Sequence, residues 1–326
     1  MKRILTGDRT TGRLHLGHYI GSLANRVQLQ NEYDTFILLA DVQALTTHFK
    51  NPALIHDSIC QVAVDNLSAG LDPEKITLVQ QSQVPAIAEL TVLFSMLVSV
   101  NSLRHNPTIK TEAKQYGYDD LSYGFLGYPV SQTADITFCG ADLVPVGADQ
   151  MPHMEAAHKI VRRFNDLYGD TFKLPQALLS ATPRLPGVDG NAKMGKSLGN
   201  AIYLSNDAET VAAKLRSART DPARLHAADP GDPQVCVAAA YYKAFAPQSY
   251  EEICESCRGG KTGCAACKRE LARQINALLE PVRERNAYYT ARPAVVKELI
   301  AAGTARANAV GAETMRRVKD AMGVTL

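Results

Sequence analysis

Four short runs, Arg3-Ile4-Leu5-Thr6, Phe36-Ile37-Leu38-Leu39-Ala40, Ile76-Thr77-Leu78-Val79 and Leu143-Val144-Pro145-Val146, are apolar at nearly every position instead of at alternate ones. Such runs read as strands covered on both faces. Amphipathic stretches lie between them; in residues 53 to 71, Ile55, Ile59, Val62 and Leu67 recur at a spacing of three to five and mark one helical face. A βαβ rhythm repeated in this way implies a doubly wound parallel sheet of the Rossmann type, whose ligands bind outside the carboxyl ends of the strands. The strand signals stop after about residue 185. Residues 207 to 219, 234 to 247, 268 to 303 and 303 to 322 read as helices, with Pro281 and Gly303 as the expected interruptions. The expected fold is therefore α/β, with a Rossmann-type domain over 1–185, a smaller all-helical domain over 186–290, and helices over 291–326 that return to the first domain.

At 326 residues, 46% apolar and 21% charged, the chain can bury a substantial core, which excludes a disordered protein. No apolar run approaches the roughly 18 residues that span a bilayer, and Met1-Lys2-Arg3-Ile4 leads straight into strand-like sequence. The expected location is the cytoplasm, with no membrane partner. The net charge of +2 conceals an asymmetry: residues before Lys193 sum to −4 and those from Lys193 onward to +6. A basic half suits a polyanion, and equally suits a solvated helical surface.

Two segments carry chemistry. The first strand runs into Gly7-Asp-Arg-Thr-Thr-Gly12-Arg-Leu-His15-Leu-Gly17-His18, and a helix follows. A glycine-containing loop at a helix start offers unpaired backbone N–H groups to a phosphate, His15 and His18 add donors, and Gly17 permits close approach of a nucleotide. Lys193-Met194-Gly195-Lys196-Ser197 follows the turn-rich Arg184-Leu-Pro-Gly-Val-Asp-Gly-Asn-Ala192. Two lysines and a hydroxyl on a mobile loop suit the β- and γ-phosphates of ATP. Alone, each segment has a plainer reading, as structural histidines or a solvated basic loop.

Together, His15-Leu-Gly-His18 and Lys193-Met-Gly-Lys-Ser197 resemble the HIGH and KMSKS signatures of class I aminoacyl-tRNA synthetases. Tyr19-Ile-Gly-Ser, Tyr128-Pro-Val-Ser-Gln-Thr-Ala-Asp135-Ile and Val144-Pro-Val-Gly147-Ala-Asp149-Gln150 extend the resemblance to the bacterial tryptophanyl-tRNA synthetases, with departures at Gly195, Arg9 and Gln132. The resemblance implies catalytic roles for His15, His18, Lys193, Lys196 and Ser197. It places Arg9, Thr10, Thr11, Gly17, His18, Gly147, Ala148, Asp149, Leu185 and the segment Lys193, Met194, Gly195, Lys196, Ser197 around ATP. It assigns Leu5, Tyr128, Gln132, Asp135, Val144, Val146 and Gln150 to tryptophan. The tyrosine enzymes share the Tyr-x3-Gln-x2-Asp pattern but carry a tyrosine where this chain has Leu5. Indole has one N–H donor and no acceptor, so the single carboxylate of Asp135 in an apolar slot suits it, whereas a phenol needs a second polar partner. The implied reaction is ATP-dependent activation of tryptophan with Mg2+, then transfer to tRNA(Trp), by a homodimer whose residues 186–290 bind the anticodon arm. Two other classes compete: a small-molecule nucleotidyltransferase sharing the HxGH loop, and a non-catalytic, metal-containing nucleic-acid binder.

Five of the seven cysteines fall between Cys236 and Cys267. In a cytosolic chain such clustering favours a metal over disulfides. The two C-x2-C pairs, Cys254/Cys257 and Cys264/Cys267, suggest a four-thiolate zinc knuckle. A subset of the resembled family instead carries one distant Cys before C-x6-C-x2-C around a [4Fe-4S] cluster, which implies Cys236, Cys257, Cys264 and Cys267 as ligands and is the expectation adopted, with Zn2+ as the alternative. Arg258, Lys261, Lys268 and Arg269 surround the cluster and suit the anticodon arm.

Overall fold

The computed structural model describes residues 1–147, 150–179, 185–192 and 194–325. Five parallel strands, β1 (Arg3–Arg9), β2 (Asp34–Ala40), β3 (Ile76–Gln80), β4 (Leu143–Val146) and β5 (Gln176–Leu179), form one sheet in the order β3-β2-β1-β4-β5. The strand order reverses between β1 and β4, so a crevice opens at their carboxyl ends. Four of these strands match the doubly apolar runs. β1 runs on to Arg9, past the expected end of the strand. β5 was not anticipated, because it is a four-residue edge strand with no buried position and lacks the apolar signature of a covered strand.

The helix Pro52–Ser68 answers to the periodic stretch 53 to 71; its start is set by Asn51, whose side chain accepts from Leu54 N, and by Pro52 in its first turn. It buries Ile55, Val62 and Leu67. In the carboxy-terminal part the helices are Ala208–Arg216, Val237–Phe245, Pro247–Arg258, Cys264–Thr290 and Pro293–Met322. Pro281 and Gly303 do not interrupt them; both lie inside long helices. The break falls at Arg292, whose backbone (φ −129°, ψ 60°) lies outside the helical region, which the following Pro293 disfavours.

Gly303 answers to packing. A Cβ there would lie 2.1 Å from the Leu78 carbonyl oxygen, so the last helix touches the backbone of β3. Thr304 Oγ1 accepts from Gln80 N at 3.1 Å, and Arg306 pairs with Asp34 at 2.9 Å and with Thr77. The last helix thus covers the outer edge of the sheet, which protects an otherwise unpaired strand. Apolar side chains form two main clusters. One joins Leu14, Ile37, Val62 and Leu67 to Ile202, Tyr241, Tyr242, Leu271 and Leu279, so the core is continuous from the sheet into the carboxy-terminal helices. The other packs Phe36, Val79, Phe94, Phe138 and Phe164 with Ala307 and Met315. Among the described residues no helix is long and apolar enough to cross a membrane.

Candidate functional site

At the carboxyl ends of β1 and β4 lies a cavity of about 590 Å3, within the range of small-molecule sites. Of the residues expected around ATP and tryptophan, Leu5, Arg9, Thr11, His15, His18, Tyr128, Gln132, Asp135, Val144, Val146, Gly147, Gln150, Met194, Gly195 and Lys196 line it. Thr10, Gly17 and Leu185 do not; Thr10 and Leu185 are buried behind it, with Leu185 O accepting from Met194 N. Ser197 lies in the short turn Lys196–Leu198. The expectations for Ala148, Asp149 and Lys193 fall outside the described residues.

The loop after β1 rests on a buried polar floor. Arg26 donates to Asp8 at 2.6 Å, to Asn66 Oδ1 at 3.0 Å and to Gly7 O at 3.0 Å. Burial alone would raise the Asp8 carboxyl, but the Arg26 guanidinium and its hydrogen bonds hold it at about 2. Beside it, Asp65 accepts from Leu14 N at 2.7 Å, and burial pushes its carboxyl up to about 7. The two histidines cap the helix start themselves: His15 Nδ1 accepts from Gly17 N at 3.1 Å, and His18 Nδ1 accepts from His15 N at 3.2 Å. Both Nδ1 atoms being acceptors, the neutral rings carry their proton on Nε2, as donors. Gly17 is also required by packing: a Cβ there would lie 2.9 Å from His15 Cε1, so the glycine makes room for the capping ring.

Lys196 reaches across to this loop and donates to Gly12 O at 2.7 Å. Burial lowers its ammonium to about 8, against the pull of Asp8 and Asp65. Gly195 N donates to Asn200 Oδ1 at 2.9 Å, which tethers the segment. The two segments far apart in sequence therefore meet around one polar pocket.

The other end of the cavity is built on the helix Tyr123–Phe138, which places Tyr128, Gln132 and Asp135 at intervals of four and three, on one face. Asp135 is buried, accepts from Gln81 Nε2 at 2.8 Å, and is raised to about 7 by burial, with the Gln81 hydrogen bond opposing. Leu5, Val144 and Val146 make the apolar walls. Tyr128 Oη lies 3.0 Å from His153 Nε2, and burial together with the neighbouring Glu112 carboxylate pushes the phenol well above its usual range. Sequence reasoning missed Gln43, Gln81, Glu112 and His153. Gln43 follows the end of β2 and Gln81 the end of β3; polar residues just beyond a buried strand's carboxyl end were the available signal. Gln43 Oε1, lining the cavity, is a buried acceptor without a hydrogen-bond partner.

The cysteines sort themselves. Cys236, Cys257, Cys264 and Cys267 line one small cavity with Arg224 and Lys268. Cys254 is buried in the neighbouring helix beside Tyr250 and is not part of that cavity. Burial, then the proximity of Cys236, Cys257 and Cys264, raises the Cys267 thiol to about 12, and Arg224 Nη1 lies 3.6 Å from Cys257 Sγ. Among the described residues, no three His, Cys, Asp or Glu side chains are drawn close enough to hold one ion. Lys268 donates to the carbonyls of Arg216 and Ala218, while Arg258, Lys261 and Arg269 are exposed.

The chain is similar to known proteins over its whole length. Residues 1–280 match the family described as tRNA synthetases class I (W and Y). A tryptophan–tRNA ligase from Treponema pallidum is 44% identical, covering 100% of this chain and 98% of that protein. One from Streptococcus pyogenes is 47% identical, with 98% of each covered. Among solved structures, tryptophanyl-tRNA synthetase from Campylobacter jejuni, complexed with ADP and tryptophan, superposes with a TM-score of 0.86 at 28% identity over 98% of this chain and 99% of that one.

Proposed function

The chain belongs to the class I tRNA synthetases of the tryptophan and tyrosine type, and from that premise we propose how its cavity divides the work. The activity is that of a tryptophan–tRNA ligase: tryptophan and ATP give tryptophanyl-adenylate and pyrophosphate, and the aminoacyl group passes to tRNA(Trp) with release of AMP. The carrying observation is that the β1 loop, the Lys196 segment and the Asp135 slot open into one cavity. Indole lies in the slot of Leu5, Val144 and Val146, and its N–H donates toward Asp135, with Gln43 Oε1 as a second acceptor at hand. The carboxylate points toward the β1 loop, where Arg9, Thr11, His15 and His18 hold ATP. Gly147, Ala148, Asp149 and Leu185 belong to the nucleoside side in this reading, and Lys193, Lys196 and Ser197 to the leaving pyrophosphate. Catalysis is by positioning and charge stabilisation as the tryptophan carboxylate attacks the α-phosphorus; no side chain forms a covalent intermediate. Mg2+ accompanies the phosphates and neutralises part of their charge.

Tryptophan-dependent ATP–pyrophosphate exchange tests this reading. Exchange with tryptophan and not with tyrosine is expected; the reverse would overturn the assignment of Leu5 and Asp135. The reading also takes the enzyme as cytoplasmic and as a homodimer. Val92, Met96 and Val100 stand exposed along one stretch and supply an apolar face for a second copy, and sedimentation at micromolar concentration checks the mass.

The four thiols line one cavity and make an all-sulfur donor set, although as placed no three of them are close enough to share an ion; Cys254 is buried in the core outside that cavity. We assign them to a [4Fe-4S] cluster, which would cross-link the segment around Cys236 to the two helices that follow, with Zn2+ as the competing occupant. The exposed Arg258, Lys261 and Arg269 then form part of the anticodon-arm surface. Visible absorption with about four irons per chain in anaerobically purified protein is expected. One zinc and no visible band would overturn the cluster, and unchanged tRNA affinity in Cys264→Ser would overturn the docking role.

A further inference from the structure

Three carboxylates line the cavity among its described residues: Asp8, Asp135 and Glu112. Two are already engaged. Asp8 is locked to Arg26 and Asn66, and Asp135 lies at the apolar end, held by Gln81. Glu112 differs. It stands on the helix Pro107–Tyr116, which Asn106 caps by accepting from Thr108 and Ile109 N–H, and that helix brings Gln115 and Tyr116 to the same wall. The carboxylate is only 21% exposed, adjoins the Tyr128 hydroxyl, and has Arg9 across the cavity at 3.7 Å, longer than a charge-assisted hydrogen bond.

A zwitterionic amino acid bound with its ring at Asp135 and its carboxylate toward the β1 loop presents an α-ammonium between the two ends. A buried ammonium needs an anion, and the other polar side chains on this wall, Tyr128, Gln132 and Gln150, are neutral. We propose that Glu112 is a specificity-determining residue that reads the α-ammonium of the substrate, and that Arg9 is its resting counterion. When amino acid and ATP enter together, the substrate ammonium replaces Arg9 at Glu112, and Arg9 is released to the phosphates. The pocket thereby selects amino acids over indole compounds that lack the amine, and occupancy of one subsite frees a group for the other. This inference rests on the tryptophan reading of the cavity.

The chain contains no tryptophan, so bound indole compounds are the only indole fluorophores and their affinities are read directly. In Glu112→Gln, affinity for tryptophan and for tryptamine should fall tenfold or more. Affinity for indole-3-propionate, which keeps ring and carboxylate but lacks the amine, should stay within twofold. In exchange assays the KM for tryptophan should rise by a similar factor with kcat changed less than threefold, the pattern of lost uniform binding. Glu112→Asp should recover part of the loss, since it keeps the charge on a shorter arm. Equal weakening of indole-3-propionate would overturn the proposal and make Glu112 a packing residue, and so would unchanged tryptophan affinity. If the wild-type chain shows no tryptophan-dependent exchange, the parent reading fails; if the wild type exchanges and the Glu112 variants match it in tryptophan affinity and KM, this inference alone fails.

Discussion

The floors of the two ends of the cavity use the same residue type to opposite effect. Under the β1 loop Asp8 is held at about 2, and under the amino-acid slot Asp135 is raised to about 7. Both are buried, so desolvation pushes both upward; the difference is the partner. Arg26 brings a full positive charge to Asp8, whereas Gln81 brings Asp135 only a neutral amide. One carboxylate is therefore a finished strut, with charge and hydrogen bonds complete in the free chain. The other has a neutral partner only, and in the proposed reading an indole N–H is its second donor.

The largest test of this contrast removes the cation. Arg26→Met leaves Asp8 charged in the core with only the neutral Asn66 amide donating to it, and should lower unfolding stability by about 3–5 kcal/mol, read from urea midpoints. A loss under 1 kcal/mol would show that Asp8 is not held as a buried ion. Asp135→Ala should do much less to stability but weaken tryptophan binding roughly 10–100-fold, corresponding to a hydrogen bond to a charged group of about 1.5–3 kcal/mol. Indole fluorescence titration measures it, and unchanged affinity would leave Gln43 as the acceptor that matters.

The smallest effect is in pH. The folded Asp135 carboxyl is raised toward about 7, so its contribution to stability is present below the unfolded value near 4 and is lost as pH rises through about 7; Asp65 acts with the same sign. Asp8 is the reverse: its contribution is present above about 4 and is lost as pH falls through about 2. Between pH 5 and 8 the wild type should lose stability relative to Asp135→Asn, while both keep the Asp8 contribution. Over the same range tryptophan affinity should rise several-fold in the wild type, as the acceptor ionises, and stay flat in Asp135→Asn. Parallel profiles would show that Asp135 does not carry the titrating proton.

Much of the fold was legible because its signals are local. Four strands are apolar on both faces, and Asn51-Pro52 marks a helix start. β5 was not legible, since an exposed edge strand buries nothing that composition can report. Pro281 and Gly303 misled for a related reason: helix breakers are costly by propensity, and the long helices tolerate them in packed surroundings, Gly303 being needed where the last helix touches Leu78. Most of the motif residues line one cavity, Gly17 and Leu185 lie outside its lining, and Arg26, Gln81 and Glu112 carry no motif at all.

By itself, then, the sequence determined the class of sheet, the glycine-containing loop after β1, the lysine segment and the thiol-rich region, because each is written in contiguous residues whose chemistry is local. The tertiary structure alone decided which partners those residues acquire. It put a guanidinium on Asp8 and an amide on Asp135, set Glu112 against Arg9, and brought Cys236 to the cavity that Cys257, Cys264 and Cys267 line, with Cys254 outside it. Charge and hydrogen-bond energies depend on separation and burial in space, and the chain order of two residues fixes neither.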